Sequence, residues 1–201
     1  MRFLRPRAAL WLLTALLAAC ASQPPTTDSE QGWSVHRAQL ELTDHWTLQG
    51  KLALRTTDRS ESATVVWSQS GDETNLRLTG PLGTGATRVT SDGKTMQVNS
   101  DGRSQRFDIS SPAAIAASTG FNLPIKALPF WVRGLPAPQP PETDLVLDQG
   151  RLLSFSQGGW QVSYPAYGNA DGLPLPTRVT LESADTRARL VIRRWQLETD
   201  Q

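Results

Sequence analysis

The chain has 201 residues, 38% of them hydrophobic and 19% charged, with a formal net charge of +1. This composition is typical of one globular domain with a hydrophobic core, and it argues against a long disordered or collagen-like chain. No segment reaches the roughly 20 apolar residues that a membrane-spanning helix needs.

The first 19 residues are predicted to be a signal peptide. Arg2, Arg5 and Arg7 precede the short apolar run 8–19, which contains no acidic residue. The run ends in LAAC at 17–20, which resembles the lipobox of bacterial lipoproteins, in which the cysteine is acylated. Cys20 is the only cysteine, which excludes an intramolecular disulfide. We expect cleavage after residue 19 and three acyl chains on Cys20; the alternative is an ordinary export signal followed by a cysteine.

Acylation would hold the mature protein in a membrane, because three chains exceed the two signals that stable anchoring needs. Cleavage removes three arginines from a formal charge of +1, which leaves −2. That charge argues against nucleic-acid binding. Ala21 stands where bacterial lipoproteins retained in the inner membrane resemble one another in carrying aspartate. We therefore expect a lipid anchor in the outer membrane of a Gram-negative host, with the domain facing the periplasm.

Two segments follow the predicted cleavage site. Residues 20–32 are polar and rich in proline, serine and threonine, which predicts a flexible tether, so that 33–201 forms a single domain. Apolar residues at helical spacing from Trp33 through Leu40 predict an amphipathic helix over 33–46. His36 and His45 would face opposite sides of that helix, so they are not predicted to hold a metal together.

From Thr47 onward the apolar residues alternate with polar ones, which predicts an antiparallel meander with one apolar face. Turn signals at Asp92-Gly93 and Asp101-Gly102 separate its later strands. A second group of strands spans 144–197, with turns at Gln149-Gly150 and Gly158-Gly159. About eleven short strands at this spacing predict a mainly β fold, a barrel or a sandwich.

Two short helices are predicted between the two groups of strands. The segment 111–120 has an N-cap serine, a proline at the first helical position and a C-terminal glycine. The segment 124–134 repeats that punctuation, and Pro129 is expected to kink it. Both helices are placed to cover the sheet.

The motifs of catalysis are missing from this sequence. It contains no G-x-S-x-G elbow, and the glycines of GPLGTG at 80–85 lack the lysine of a P-loop and the spacing of a dinucleotide fingerprint. We therefore predict no catalytic residue, no metal and no cofactor. Leu82 at the centre of this turn is unusual, because turn tips favour residues that reach positive φ or bond the local backbone.

The apolar residues of the sheet face and of the two helices form the candidate binding surface. The pattern alone favours a solid core and does not distinguish a filled barrel from a hollow one. The candidates for an acyl-chain cavity are Leu52, Leu54, Val65, Trp67, Leu76, Leu78, Met96, Val98, Ile115, Leu128, Trp131 and Val132.

Several motifs occur in a distinctive order along the chain. The lipobox and tether precede a helix with Trp33 and Leu40, then Gly50-Lys51 opens the first strand and Trp67 lies in the second. LTGPLG at 78–83, LPIKALPFWVRGLP at 123–136 and GGWQVSYPAYG at 158–168 complete the set. Together they resemble the LolB family of outer-membrane lipoprotein receptors over essentially the whole chain.

The resemblance implies an incomplete antiparallel β-barrel with a helical lid over an apolar cavity that binds acyl chains. It implies a receptor, not an enzyme, that accepts lipoproteins from the periplasmic carrier LolA and inserts them into the inner leaflet of the outer membrane. Gly80, Pro81, Leu82 and Gly83 would form the membrane insertion loop, with Leu82 exposed, and Cys20 would be acylated. We expect a monomer. The alternative is a structural outer-membrane lipoprotein, or an accessory subunit of an envelope assembly machine, with a solid core.

Overall fold

The computed structural model describes residues 27–83, 85–111, 113–115 and 124–198. The lipobox with Cys20, and the first part of the predicted tether, lie outside the described residues. Within them, no helix is long and apolar enough to span a bilayer.

The strands in the described part of the chain form one antiparallel sheet of eleven strands. Their order across the sheet is β6-β5-β4-β3-β2-β1-β11-β10-β9-β8-β7, so β1 pairs with both β2 and β11 and joins the two halves. The edge strands β6 and β7 are not paired with each other, and the barrel is therefore incomplete, as the family resemblance implies. The strands are β1 (His45–Thr56), β2 (Ser60–Ser70), β3 (Glu73–Thr79), β4 (Ala86–Ser91), β5 (Thr95–Ser100), β6 (Arg103–Asp108), β7 (Thr143–Asp148), β8 (Arg151–Gln157), β9 (Trp160–Ala170), β10 (Leu173–Glu182) and β11 (Thr186–Leu197).

The first helix, α1 (Thr27–Glu41), begins inside the segment assigned to the tether and ends before Trp46. The boundaries 33–46 predicted from the sequence are therefore wrong at both ends. The inward positions are nevertheless those expected from the spacing, because Trp33, His36 and Leu40 are all buried. Trp46 belongs to β1, where it is 1% exposed and pairs with Gln69 of β2.

His36 attaches α1 to the sheet. Its Nε2 lies 2.8 Å from the carbonyl oxygen of Pro174, which only accepts, so Nε2 carries the proton. Burial lowers the pKa of His36, although the hydrogen bond to Pro174 opposes that shift. The imidazole is therefore neutral at pH 7. His45 lies on β1 beside Asp44, away from His36, so the two histidines do not share a helix as predicted.

Of the two helices predicted between β6 and β7, the first lies partly outside the described residues and the second is shorter than predicted. Residues 113–115 are helical, and the Ser111 hydroxyl accepts a hydrogen bond from the Ala114 N–H, which confirms the N-cap; residues 116–123 lie outside the described residues. The second helix, α2 (Leu128–Trp131), is a single turn, not an 11-residue helix over 124–134. Pro129 lies in its first turn, where a proline costs no hydrogen bond, so it does not kink the helix.

Gly50 lies at a β-bulge in the middle of β1, where the register with β11 shifts. The sequence motif predicts that Gly50 opens the first strand. This prediction is wrong, because β1 begins at His45. A Cβ at this position would lie 2.3 Å from the carbonyl oxygen of Val191, an atom of the neighbouring backbone that cannot rotate away. Glycine is therefore required for β11 to approach β1.

We expect Gly50→Ala to lower the free energy of unfolding by about 1–3 kcal/mol, the range typical of overpacking. The change would displace the strand pair that joins the two halves of the sheet. Urea unfolding of the mature chain measures it. Ala53→Ser, an equally small change at an exposed position of the same strand, should leave the unfolding midpoint almost unchanged. Equal stability of the two variants would contradict the close approach.

Candidate functional site

Apolar side chains line the inner face of the half-sheet β1–β5. One row of directly opposed residues crosses it from Leu48 to Trp67, Leu76, Val89 and Val98. Leu48 is 0% and Trp67 7% exposed, whereas the last three are only half-buried. The inner face is therefore packed near β1 and partly open toward β5.

The twelve predicted cavity residues fall into two groups in the structure. Six lie half-buried on the inner face of this half-sheet, and the other six lie in the packed core or in the segment between β6 and β7. The half-buried residues are Leu52, Leu54, Leu76, Leu78, Met96 and Val98, of which Leu52, Leu76 and Leu78 also contact the core. In the second group, Val65, Trp67, Trp131 and Val132 are buried in the core, Leu128 is partly buried against it, and Ile115 is buried outside that cluster.

Val89 and Phe107 extend the half-buried face and are absent from the predicted set. Val89 pairs with both Leu76 and Val98, and Phe107 pairs with Met96. Val89 is the only large apolar residue of β4, so its strand shows little alternation. Its position between two recognisable apolar strands is the signal that could have identified it.

The other half of the sheet, β7–β10, has a packed core beneath residues 128–140, which contain α2 and are called the covering segment below. Trp131 is 1% exposed, and its ring centroid lies 6.2 Å from that of Phe155 in an edge-on contact. The Tyr164 hydroxyl donates a 2.8 Å hydrogen bond to the carbonyl oxygen of Trp131. Burial raises the pKa of Tyr164, so this donor stays protonated at neutral pH.

Gln157 holds this covering segment with every polar atom of its side chain. Its Oε1 accepts hydrogen bonds from the Trp131 indole at 2.7 Å and from the Ala137 N–H at 2.9 Å. Its Nε2 donates to the carbonyl oxygens of Ala137 and Pro140. Gln157 is 2% exposed, so α2 and the chain after it are fixed to β8 by a fully satisfied buried amide.

Arg133 connects the same segment to α1. It is 5% exposed, and its guanidinium donates to the carbonyl oxygens of Leu40 at 2.9 Å, of Pro129 at 3.0 Å, and of Thr43. Leu40 lies in the last turn of α1 and Thr43 follows its end, so Arg133 binds the chain where α1 terminates. Burial lowers the pKa of Arg133 to about 10, and the group remains a cation at pH 7.

The turn between β3 and β4 lies at one end of the half-buried inner face of β1–β5. A single 3-10 turn, Pro81–Gly83, forms its tip, and the Gly80 N–H donates to the Gly85 carbonyl oxygen at 3.1 Å across its base. Gly83 has φ +79°, and a Cβ there would meet nothing within 4 Å. Glycine is therefore needed at this position for its conformation and not for space.

The predicted loop residues therefore share one projecting turn that continues the apolar strand β3. Pro81 and Gly83 are exposed, Gly80 is half-buried, and Leu82 occupies the centre of the 3-10 turn. Leu78, two residues before Gly80, belongs to the half-buried inner face. The structure thus brings the loop and one end of the apolar face together.

Comparison with known proteins agrees with this architecture. Residues 44–195 match the family model described as "Outer membrane lipoprotein LolB". The chain is 39% identical over 192 residues to the outer-membrane lipoprotein LolB of Stutzerimonas stutzeri, covering 92% of each chain. It is 39% identical over 201 residues to the LolB of Chromohalobacter salexigens, covering 96% of this chain and 92% of the relative. The chain belongs to the LolB family.

Membership establishes an outer-membrane lipoprotein of a family that acts in lipoprotein transport, and it confirms the location predicted from the lipobox. A solved LolA superfamily protein from Nitrosomonas europaea shares the fold, with a TM-score of 0.51 at 11% identity. The alignment covers 84% of this chain and 94% of that one. At this identity the likeness concerns the fold alone.

We expect Arg133→Met to lower the free energy of unfolding by about 3 kcal/mol, because buried carbonyl oxygens lose charged donors. Thermal or urea unfolding measures the loss. Arg37→Met removes an exposed arginine from α1 that pairs with Glu41 and, at 3.8 Å, with Glu142, and we expect it to change stability by no more than about 1 kcal/mol. A loss for Arg133→Met no larger than for Arg37→Met would show that Arg133 does not hold α1 to the covering segment.

Proposed function

We propose that this protein accepts lipoproteins from the periplasmic carrier LolA and inserts them into the inner leaflet of the outer membrane. The observation that carries the proposal is the half-buried apolar face of β1–β5, which runs to the projecting loop 80–85. Cys20, acylated, would keep the domain at the same leaflet. The partners are then LolA, the acyl chains of the cargo and the leaflet itself.

The physical need for such a face follows from the cargo. Each methylene of an acyl chain costs about 0.8 kcal/mol when it is exposed to water, so a lipoprotein with its chains exposed does not cross the periplasm alone. Leucine, valine and methionine side chains that are only half-buried can contact the acyl chain in place of water, and the protein needs little rearrangement to do so. Acyl chains lying along Leu76, Leu78, Met96 and Val98 would complete the burial of these residues.

Transfer from carrier to receptor requires a difference in affinity for the acyl chains and no covalent step. We therefore propose a binding protein and not an enzyme, acting as a monomer. The loop would make the first contact with lipid. Burying one leucine contributes about 1.5–3 kcal/mol, which is too little to anchor a protein but sufficient to orient one that is already anchored.

The acyl-binding role predicts that Leu76→Asp weakens the binding of a fluorescent fatty-acid probe to the mature chain by roughly ten-fold or more, because a carboxylate replaces buried apolar surface. Asn75→Asp is the matched control, since it introduces the same carboxylate on the adjacent, outward-facing position of β3. It should bind the probe as the native chain does.

Two results would count against this role. Equal affinity of the Leu76→Asp and Asn75→Asp variants would show that the probe binds elsewhere. Absence of probe binding by the native chain would favour the alternative, a structural outer-membrane lipoprotein with a solid core.

The loop's role predicts a separation of two steps. Leu82→Glu should fold and still take lipoprotein from LolA, but should fail to deliver it to liposomes, because a charged tip does not enter the acyl layer. Transfer between the two proteins is followed by co-purification and delivery by flotation of liposomes. Leu42→Glu, at a leucine that is 86% exposed beyond α1, is the control and should deliver normally. Normal delivery by Leu82→Glu would refute the loop assignment.

A further inference from the structure

Two arginines lie directly opposite each other on the outer face of the hairpin that carries the loop. Arg77 of β3 pairs with Arg88 of β4, and both are exposed. Their neighbours Leu76 and Leu78 point to the inner face, so the arginines occupy the opposite side of the same strands. The hairpin is thus apolar inside and cationic outside.

The pair is unfavourable for the isolated domain. Like charges directly opposite on adjacent strands are destabilising. Within the described part of the chain, neither guanidinium forms an ion pair or a side-chain hydrogen bond. No requirement of the fold explains two facing cations at this position, and an anion from outside would relieve their repulsion.

A groove of about 440 Å³ adjoins the pair and adds a third cation. Arg77, Arg88 and Arg103 line it together with Asp101, the turn residue between β5 and β6. The other lining side chains are small or neutral, among them Thr87, Asn99 and Ser104. Arg103 lies opposite Ser100, in register with Thr87 and the inner face, so Arg77 and Arg88 are the cations that the outer face supplies. With Asp101, the lining remains net positive, which fits a phosphate group.

The groove lies at a depth suited to lipid headgroups. Arg77 and Arg88 are each three residues from Gly80 and Gly85, which close the loop, or about 10 Å at the rise of a strand. A bilayer is about 40–45 Å thick with headgroups and about 30 Å without them, so each headgroup layer is about 5–7 Å thick. When the loop tip enters the acyl layer, these long side chains can reach the phosphates behind it.

We propose that Arg77 and Arg88 bind the phosphates of anionic phospholipids and hold the loop in the leaflet. The inference rests on the proposed function, because it requires that the loop enters the membrane. It adds a dependence on lipid charge: loop insertion strengthens with the fraction of anionic lipid and weakens with salt. Leu82 provides contact with any leaflet, and the arginines provide preference for an anionic one.

The experiment uses the mature acylated protein reconstituted into vesicles of phosphatidylcholine, with or without about one third phosphatidylglycerol. Pro81→Cys, at an exposed position of the loop itself and outside the groove, carries an environment-sensitive fluorophore, since Cys20 is the only native cysteine and is acylated in this preparation. The fluorescence gives the ratio of inserted to water-exposed loop. Cargo delivery is measured on the same vesicles.

We expect phosphatidylglycerol to raise the insertion ratio of the native protein. In Arg77→Gln/Arg88→Gln this increase should fall roughly twenty-five-fold, about five-fold for each cation near an anionic surface, while insertion into pure phosphatidylcholine is unchanged. Arg106→Gln/Arg193→Gln removes the same charge from exposed positions on β6 and β11, away from the loop, and should keep the native response.

Three outcomes would overturn the inference. In the first, the Arg77/Arg88 variant responds to phosphatidylglycerol as the native protein does. In the second, the control variant loses the response equally, which would show an effect of net charge alone. In the third, the native loop inserts and delivers cargo equally in both vesicles, so that the proposed function stands without lipid selectivity. Failure of the native protein to deliver cargo to either vesicle would instead contradict the proposed function itself.

Discussion

The buried amide of Gln157 determines which half of the sheet is closed. Its two acceptor and two donor positions are all used by the segment from Trp131 to Pro140. An amide satisfied in this way resists any displacement of that segment, because each broken bond would leave a buried polar atom without a partner. Arg133 extends the same restraint to the end of α1. The covering segment is therefore part of the core of β7–β10, and it is attached to that half of the sheet.

The inner face of the other half of the sheet, which the covering segment does not cover in this way, is unevenly buried. The inner face of β1–β5 is packed where it meets Trp46 and Leu48, both at most 1% exposed, and becomes half-buried toward β5. Trp46 contacts Trp67 and Trp195 with ring centroids 5.2 and 5.4 Å away, so the junction of the two halves is filled by aromatic rings. Half-buried leucines are costly in water. They are useful where an apolar ligand completes their burial, and this is the arrangement that a carrier of acyl chains requires.

The sequence predicts the sheet better than it predicts the helices, and the reason is physical. Alternation along a strand and turn dipeptides such as Asp101-Gly102 are local signals, and the predicted number of about eleven strands agrees with the eleven observed. The end of α1 depends instead on Arg133, which is 93 residues from Leu40 in the chain. The helical spacing that begins at Trp33 therefore predicts a helix that extends to Trp46, beyond the observed end of α1 at Glu41. Gly50 likewise has its explanation in Val191 on a distant strand.

The candidate site shows the same division between local and distant information. The loop was recognisable because GPLG lies between two alternating segments, and β3 and β4 do flank it. The partition of the twelve cavity candidates is not predictable from pattern, since Trp131 is buried by contacts with Phe155 and Gln157, which are distant in the chain, whereas Leu76 remains half-buried. Val89 was missed because a strand with one large apolar residue has no visible alternation.

The loop separates two faces of opposite chemistry, and this separation has a consequence for orientation. On one side of β3 lie Leu76 and Leu78, which are half-buried, and on the other lies Arg77, which is exposed. A turn with an apolar inner face and a cationic outer face can lie against a leaflet in only one sense, because phosphates attract the outer side while acyl chains accept the tip. The end of the apolar face beside the loop then opens toward the lipid. A flexible tether alone would allow the domain to rotate freely, so the asymmetry of this one hairpin is what would turn the apolar face toward the membrane.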